Sequence, residues 1–282
     1  DGPDNVEEFN AFSEMSGSFP PNVNNDVGNQ FEYIAFTAAT TAGGFQVDTA
    51  MSQNGRGLTF SSGEDSGIRH NSDISPGDYT TASHMISFWF KFSAATADGT
   101  DNLGQLIQVY NQGASGANDF AYVLRVGVDM TGQHGMQLTI SSFDTASPQL
   151  ADFNLDFIPV TPSEWHRCVI HYTSASDTTA TDGAFQLWID PANGAAAPQM
   201  SFPDGRFEIA STHGAGPLGR YGFGRSVGFA IDANGPDMFI DSIGSWDGVG
   251  MAGVNDVQAG VDFLNSSIPN LAIAAVSAAK AE

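Results

Sequence analysis

The chain has 282 residues and a mass of 29.6 kDa, which fits one large domain with a short extension at most. Hydrophobic residues make up 41% of the chain and 21 residues are Phe, so it can build an extended core and is not intrinsically disordered. Nine Lys and Arg stand against 32 Asp and Glu, which gives a formal net charge of -23. Because such a surface repels nucleic acids and anionic lipids and attracts Ca²⁺, the first two are excluded as partners.

The cysteine count and the N-terminus indicate where the protein is located. Cys168 is the single cysteine; it lies in an alternating run and is predicted to be a small core residue. No stretch approaches the roughly 20 apolar residues that span a bilayer, so membrane insertion is not predicted. The chain begins at Asp1, which we interpret as the result of signal-peptide removal. We therefore expect an extracellular protein, either secreted or at a particle surface.

Alternation of apolar and polar residues between turns rich in Gly, Asn, Asp and Ser predicts strands along most of the chain. In MISFWFKFS, residues 85–93, the apolar residues predicted to face inward are Ile86, Phe88, Phe90 and Phe92. FAYVLRVGV, MQLTI and FQLWI alternate in the same way. Near the C-terminus, LAIAAVSAAKAE is Ala-rich, and either a short helix or an added strand is predicted there. The pattern indicates an all-β chain.

Four segments, taken in order, resemble successive pieces of the laminin-G-like, concanavalin A-like jelly roll. They are residues 55–94 with their FWF strand, EWHRCVIHYTS at 164–174, AFQLWIDPANG at 184–194, and residues 218–248 with their FIDSI strand. The resemblance implies a two-sheet antiparallel β-sandwich over about residues 55–248. Residues 1–54 are then an N-terminal arm with the first strands, and residues 249–282 a C-terminal tail, so both ends form extended arms. The family includes lectins, adhesion modules, glycanases, polysaccharide lyases and virion or surface proteins, so the resemblance does not fix function.

Catalytic groups of the enzymes in this family are not evident in the sequence. Retaining glycanases need two carboxylates about 5 Å apart on one strand, and no Glu-x-Asp-x-x-Glu pattern occurs. Lyases need an Arg, a Gln or His, and a Tyr on one sheet face. Two sets have the right residue types, namely Arg125, His171 and Tyr122, and His166, Arg167 and Tyr172. The Arg-x-Glu-x-Arg strand of the lyases is missing, and we expect a protein that is not an enzyme.

Calcium is the cofactor that the sequence favours. The resemblance implies one structural ion, held by an acid near the N-terminus and an Asp in the closing strand. Glu7 or Glu8 and Asp241 match these positions, and Asp241 interrupts an otherwise apolar strand. A second candidate is the loop that contains Asp98, Asp101 and Asn102, which are either calcium ligands or turn formers.

Glycan binding requires exposed aromatic rings that stack on sugars, with polar side chains on nearby loops. Trp89 and Trp188 lie opposite the apolar faces of their strands and are candidates for such rings on an outer sheet surface. Further candidates for glycan binding lie at the end of the strand LIQVY, where a loop begins. They are Tyr110, Asn111 and Gln112. The alternative is that the two Trp cover the sandwich beneath long loops or an N-terminal segment.

The two arms favour self-association. Arms that extend beyond a sandwich often clasp a neighbouring subunit, although they also fold back as extra edge strands. Our first hypothesis is therefore a secreted, non-catalytic subunit that binds copies of itself in an extracellular filament, sheath or particle surface. The alternative is a lectin-like module that binds cell-surface or matrix glycans.

Overall fold

The structure is a computed structural model. It describes residues 5–7, 23–24, 30–35, 45–48, 57–60, 66–70, 83–111, 120–143, 150–173, 180–192, 196–205, 218–224 and 235–246. Throughout these ranges the chain forms strands and the connections between them, without a helix. Accordingly, this part of the chain holds no helix with the length and apolar character needed to cross a membrane. The predicted C-terminal element at 271–282 lies outside the described residues, as does Glu8.

The strands, in chain order, are β1 (Asn5–Glu7), β2 (Val23–Asn24), β3 (Gln30–Ala35), β4 (Phe45–Asp48), β5 (Gly57–Phe60), β6 (Ser66–His70), β7 (Ser83–Phe92), β8 (Asn102–Asn111), β9 (Phe120–Val128), β10 (His134–Phe143), β11 (Leu150–Pro159), β12 (His166–Thr173), β13 (Gly183–Ile189), β14 (Met200–Gly205), β15 (Leu218–Gly224) and β16 (Met238–Trp246). The strands predicted at MISFWFKFS, FAYVLRVGV, MQLTI and FQLWI lie in β7, β9, β10 and β13.

These strands form two eight-stranded sheets. Sheet 1 has the order β14-β13-β12-β7-β16-β5-β4, and β1 pairs with β16 beside β5. Sheet 2 has the order β11-β10-β9-β8-β15-β6-β3-β2. The strand pairs are antiparallel, as in β7 with β12 and β8 with β9. The predicted all-β, two-sheet antiparallel sandwich is confirmed.

The described strands of the N-terminal segment pair within the chain itself. β1 lies against β16, β4 is the last strand of sheet 1, and β2 and β3 end sheet 2. β2, β3 and β4 therefore lie at the ends of the two sheets, and β1 lies beside the central strand β16. The rest of the N-terminal segment and residues 249–282 lie outside the described part of the chain.

The core lies between the sheets and is rich in aromatic rings. The inward residues of β7, namely Ile86, Phe88, Phe90 and Phe92, are fully buried, and Cys168 is also in this core, as the sequence predicts. Rings from the two sheets meet directly: the centroids of Phe88 and Phe223 are 5.0 Å apart in an edge-to-face contact. Such pairs stabilise a core beyond the burial of apolar area and prefer defined distances between ring centroids, so this contact helps to hold the two sheets together.

Candidate functional site

Polar side chains form two neighbouring rungs on the face of sheet 2 that points away from the core. Along β9, Tyr122, Leu124 and Val126 belong to the core, so the residues that alternate with them face outward. The first rung joins Gln105, Arg125 and Gln137 across β8, β9 and β10, and the second joins Gln108, Val123 and Thr139. We call Gln105, Gln108, Arg125, Gln137 and Thr139 the polar row.

Hydrogen bonds connect side chains of the polar row. Gln105 Nε2 donates to Gln108 Oε1 over 2.8 Å, which joins the two rungs on β8. Arg125 Nη2 donates to Thr139 Oγ1 over 2.9 Å, which joins them between β9 and β10. A bulge in the β8–β9 pairing between Gln105 and Ile107, where Leu106 has no partner residue in β9, places both glutamines of β8 on this face although they are three residues apart. The row is therefore an ordered network rather than a set of independent surface side chains.

Much of the polar row is buried although it lies outside the core. Gln108, Thr139 and Gln105 are 0%, 3% and 7% exposed, while Arg125 and Gln137 are partly buried. Polar side chains are seldom buried without hydrogen-bond partners, and burying them stabilises a fold less than burying apolar ones. A sandwich that needed only stability would place apolar or fully solvated side chains here. The polar row is therefore a hydrogen-bonded layer on sheet 2, in which Arg125 and Gln137 keep part of their surface exposed.

The electrostatic centre of the row is Arg125. Burial lowers the pKa of its guanidinium, and the more distant charge of Asp101 partly opposes this effect. The neighbours across its rung are the neutral glutamines Gln105 and Gln137. A partly desolvated guanidinium with planar, fixed donors binds carboxylates and sugar hydroxyls well. Glutamine and threonine do not exchange protons near neutral pH, so the row provides groups for binding and orientation.

The structure corrects the prediction for one of the two tryptophans. Trp188 lies opposite the core face of β13 as predicted, but it is only 3% exposed. Its Nε1 donates to the carbonyl oxygen of Ala196 over 2.9 Å, because the chain after β13 passes over the ring. Trp188 therefore covers the sheet beneath a connection, as the alternative hypothesis has it, and offers no open ring for a sugar.

Trp89 is partly buried on the outer face of sheet 1, directly between Arg167 and Asp241 in the strand register. Its Nε1 is buried and has no hydrogen-bond partner among the described residues. This face is well covered, since Met85, Ser87 and Val169 are fully buried there. Trp89 therefore lies in a second packed layer, on the opposite side of the sandwich from the polar row.

The loop-mouth candidates lie at one end of the strand that supplies the glutamines. Tyr110 and Asn111 are the last residues of β8, and Tyr110 pairs with Arg220 of β15 and Phe120 of β9. Gln112 lies outside the described residues. The structure thus places Tyr110 on the strand that carries Gln108, while the part of these three residues in ligand binding stays a prediction.

The first calcium prediction involves strands that the structure brings together. Glu7 is the last residue of β1 and pairs with Ile243 of β16, two residues from Asp241. Asp241 also lies where the pairing of β16 with β7 shifts register, between the stretches that pair with β5 and β1. The backbone therefore places the two predicted acids near one another at the centre of sheet 1. Calcium binding there remains a prediction.

The second calcium candidate has the contacts of turn formers. Asp98 Oδ1 accepts hydrogen bonds from the backbone N–H and the hydroxyl of Thr100, over 3.0 and 2.6 Å, and these bonds lower the pKa of Asp98. Asp101 Oδ1 accepts the backbone N–H of Met130 over 2.8 Å. Asn102 donates to the carbonyl oxygen of Thr96 over 2.8 Å. In the described part of the chain no cluster of three or more His, Cys, Asp or Glu is arranged to hold a metal ion.

Neither of the two sets with the residue types of a lyase is assembled. Arg125 belongs to the outer face of sheet 2, Tyr122 to the core, and His171 to sheet 1. In the other set, Tyr172 is in the core, whereas Arg167 alternates with the core residues of β12 and faces outward. Both sets fail because they combine residues that strand alternation places on different faces.

Sequence analysis missed the glutamines and the threonine of the polar row. Arg125 and Thr139 each alternate with core residues in their strands, which is a signal present in the sequence. The bulge at Leu106 in β8 hides the same signal for Gln105 and Gln108, because alternation breaks between them. The order of strands that brings β8, β9 and β10 side by side is also needed to see the row.

Comparison with known proteins gives fold similarity at low sequence identity. No protein-family model and no curated protein sequence matches the chain. Among solved structures, the botulinum neurotoxin serotype G binding domain is similar with a TM-score of 0.52 and 10% identity, over 94% of this chain and 51% of that one. The botulinum neurotoxin type G receptor binding domain gives 0.50 and 11%, over 95% and 52%. The chain thus spans about half the length of these domains.

A third similar structure is the marine PL-14 alginate lyase from Aplysia kurodai, with a TM-score of 0.53 and 11% identity, over 87% of this chain and 99% of that one. At such identities the similarity establishes the β-sandwich fold and leaves function to the site. The narrower laminin-G-like assignment stays a prediction from the sequence.

Proposed function

We propose that the chain is a lectin-like module of the laminin-G-like superfamily that binds carbohydrate through the polar row of sheet 2. The observation that carries the proposal is the pair of rungs, in which Arg125 and two buried glutamines are fixed side by side on one sheet face. This function was the alternative to self-association in the sequence analysis, and the polar row supports it more directly.

The chemistry of the row suits a sugar. A pyranose ring presents hydroxyl groups that both donate and accept, at spacings similar to those of side chains on neighbouring strands. Of the two partly exposed members, Arg125 supplies charged donors that bind a carboxylate or adjacent hydroxyls and Gln137 supplies an amide donor and acceptor, while the buried Gln105 and Gln108 hydrogen-bond to each other and order the row. A rigid set of such groups binds with little loss of side-chain entropy, because the network already orders them.

The net charge gives an expectation about the class of glycan. A chain with a formal charge of -23 repels long anionic polymers at low salt. Arg125 nevertheless provides a local positive site. We therefore propose neutral glycans or glycans with isolated carboxylates as ligands, with tighter binding of the carboxylated ones when salt screens the overall charge.

The test is a glycan array probed with the full chain and with two matched variants. Gln137→Met removes a partly buried amide of the polar row, whereas Gln186→Met removes a partly buried amide from the face of sheet 1. We expect the first variant to lose binding to the glycans that the wild type selects and the second to keep it. Equal binding by all three proteins, or binding by none, would overturn the proposal.

A polysaccharide lyase is a second candidate, because Arg125 and glutamines share a sheet face and a lyase shares the fold. A lyase would release unsaturated ends that absorb in the ultraviolet. Incubation with the selected glycans and an absorbance measurement separate the two functions. We propose binding without catalysis, since the polar row by itself contains no group that exchanges protons near neutral pH.

Three other expectations stay predictions: self-association, structural calcium and an extracellular location. Self-association rested on segments that lie largely outside the described residues. Light scattering of the native protein measures it directly, and it is compatible with glycan binding.

A further inference from the structure

Two corners at one end of sheet 1 meet at a buried histidine. His166 begins β12, Asp190 follows β13, and Thr161 lies in the connection between β11 and β12. The Nδ1 atom of His166 is 2.6 Å from Asp190 Oδ2, and its Nε2 atom is 2.9 Å from the carbonyl oxygen of Thr161. The side chain of His166 is 10% exposed and that of Asp190 47%.

Both ring nitrogens of His166 therefore face hydrogen-bond acceptors. A backbone carbonyl oxygen only accepts, and so does an ionised carboxylate. A neutral imidazole has one N–H, so it can satisfy one of these contacts and directs a lone pair at the other oxygen. We propose that His166 is held as an imidazolium and acts as a pH-sensitive clamp that joins the two corners, closed when protonated and loosened when it loses a proton. This inference does not depend on the proposed function.

The groups around the ring favour the protonated form. Burial by itself lowers the pKa of His166, but the hydrogen bonds to Asp190 and Thr161 and the charges of Asp190 and Glu164 outweigh it, so the pKa is raised above 6.5. The Phe90 ring packs against the imidazole with centroids 5.7 Å apart. Two further charged groups lie near this corner among the described residues: the Arg167 guanidinium, which is buried and interacts with Asp190, and Lys91, whose Nζ is 5.0 Å from the centroid of the Trp165 ring.

Different hydrogen bonds hold the two segments that His166 joins to the neighbouring strands. Asp190 has a φ of 50°, its N–H donates to the Arg167 carbonyl oxygen over 2.8 Å, and its Oδ1 accepts the Arg167 N–H over 2.7 Å. On the other side, Ser163 has a φ of 66° and donates its N–H to the Phe92 carbonyl oxygen over 2.7 Å. Because Asp190 keeps two further bonds to β12, we expect the Thr161 contact to be lost first. The connection 160–165 would then loosen while the Asp190 corner stays in place.

The sign of the pH effect follows from the raised pKa. The folded state holds the proton more tightly than the unfolded state, so the stabilisation is fully present below pH 6.5. It is lost as the pH rises through the folded-state pKa. Raising the pH thus loosens the connection, whereas an ordinary surface histidine would leave it unchanged.

The first measurement is a pH titration of the ring nitrogens by ¹⁵N NMR on the full chain. We expect both nitrogens of His166 to be protonated below pH 6.5, with a midpoint above that of a free histidine, about 6.5. A midpoint at or below that value would overturn the proposal. This measurement on the wild type requires no variant that might fail to fold.

A variant series tests the clamp itself. Asp190→Asn removes the charge but suits the positive φ of this position, since Asn tolerates the left-handed region. In this variant we expect the midpoint of His166 to fall and amide exchange in residues 160–165 to become faster at neutral pH. Asp98→Asn is the matched control, because it removes a carboxylate that accepts hydrogen bonds from Thr100 in another connection. Unchanged exchange in Asp190→Asn, or equal changes in the control, would contradict the clamp.

Discussion

Replacing Arg125 by methionine separates binding from folding. The substitution keeps an unbranched side chain of similar reach but removes the guanidinium and its 2.9 Å hydrogen bond to Thr139. A hydrogen bond to a charged group stabilises a fold by about 1.5–3 kcal/mol. The burial that lowers the pKa of Arg125 has the opposite effect on stability. It destabilises a partly desolvated cation, whereas it stabilises an apolar side chain at the same position. We expect the free energy of unfolding to change by no more than about 1 kcal/mol.

In ligand binding, no gain from apolar burial offsets the loss of the Arg125 guanidinium. If Arg125 donates charged hydrogen bonds to the glycan, their loss removes about 1.5–3 kcal/mol of binding free energy, or an affinity change of about 10- to 150-fold. Calorimetric titration with a glycan selected on the array measures this change, and urea unfolding measures stability. Arg167→Met removes a buried guanidinium from sheet 1 and is the control, with affinity retained. Unchanged affinity in Arg125→Met together with a large loss of stability would refute the reasoning, because Arg125 would then be structural.

Three further predictions concern the core, the glycines and the proposed calcium ion. Phe88→Ala removes the edge-to-face contact with Phe223 between the sheets and should lower the free energy of unfolding by about 3–5 kcal/mol in urea titrations, with a smaller loss for Phe88→Leu. Gly127 has a φ of 151°, and a Cβ there would lie 2.1 Å from the Asn102 carbonyl oxygen, so Gly127→Ala should cost about 2 kcal/mol or more. Gly104→Ala should cost less, because its Cβ would meet the flexible Met238 side chain at 3.1 Å; equal losses would contradict the steric argument. If Glu7 and Asp241 hold calcium, a chelator should lower the melting temperature, and an unchanged melting temperature at full chelation would exclude a stabilising ion.

Local alternation predicted the strands and their inward faces well. In β7 every predicted inward residue is buried, because period-two alternation and a Phe-rich face leave one arrangement for a sandwich strand. The location of Cys168 in the core followed from the same argument. These features depend on residues that are neighbours along the chain.

Features that depend on distant segments were not predictable in the same way. Trp89 and Trp188 have the same local signature, but the chain near Ala196 covers Trp188 and sequence alternation contains no information about that cover. The polar row needs the register of β8, β9 and β10 and the bulge at Leu106 in β8. The His166 clamp needs the carboxylate of Asp190, which follows another strand, and the carbonyl oxygen of Thr161 in a connection. The sequence shows that these residues are present, but not that they lie next to His166.

The most direct test of the central claim is to map the bound glycan on the protein. Backbone amide chemical shifts are recorded by NMR during titration of the full chain with the glycan that the array selects. Binding at the polar row predicts the largest shifts in β8, β9 and β10, around Gln108, Arg125 and Thr139. Saturable shifts that instead cluster on the outer face of sheet 1, around Trp89 and Arg167, would show that the chain binds glycan elsewhere and would contradict the proposed site.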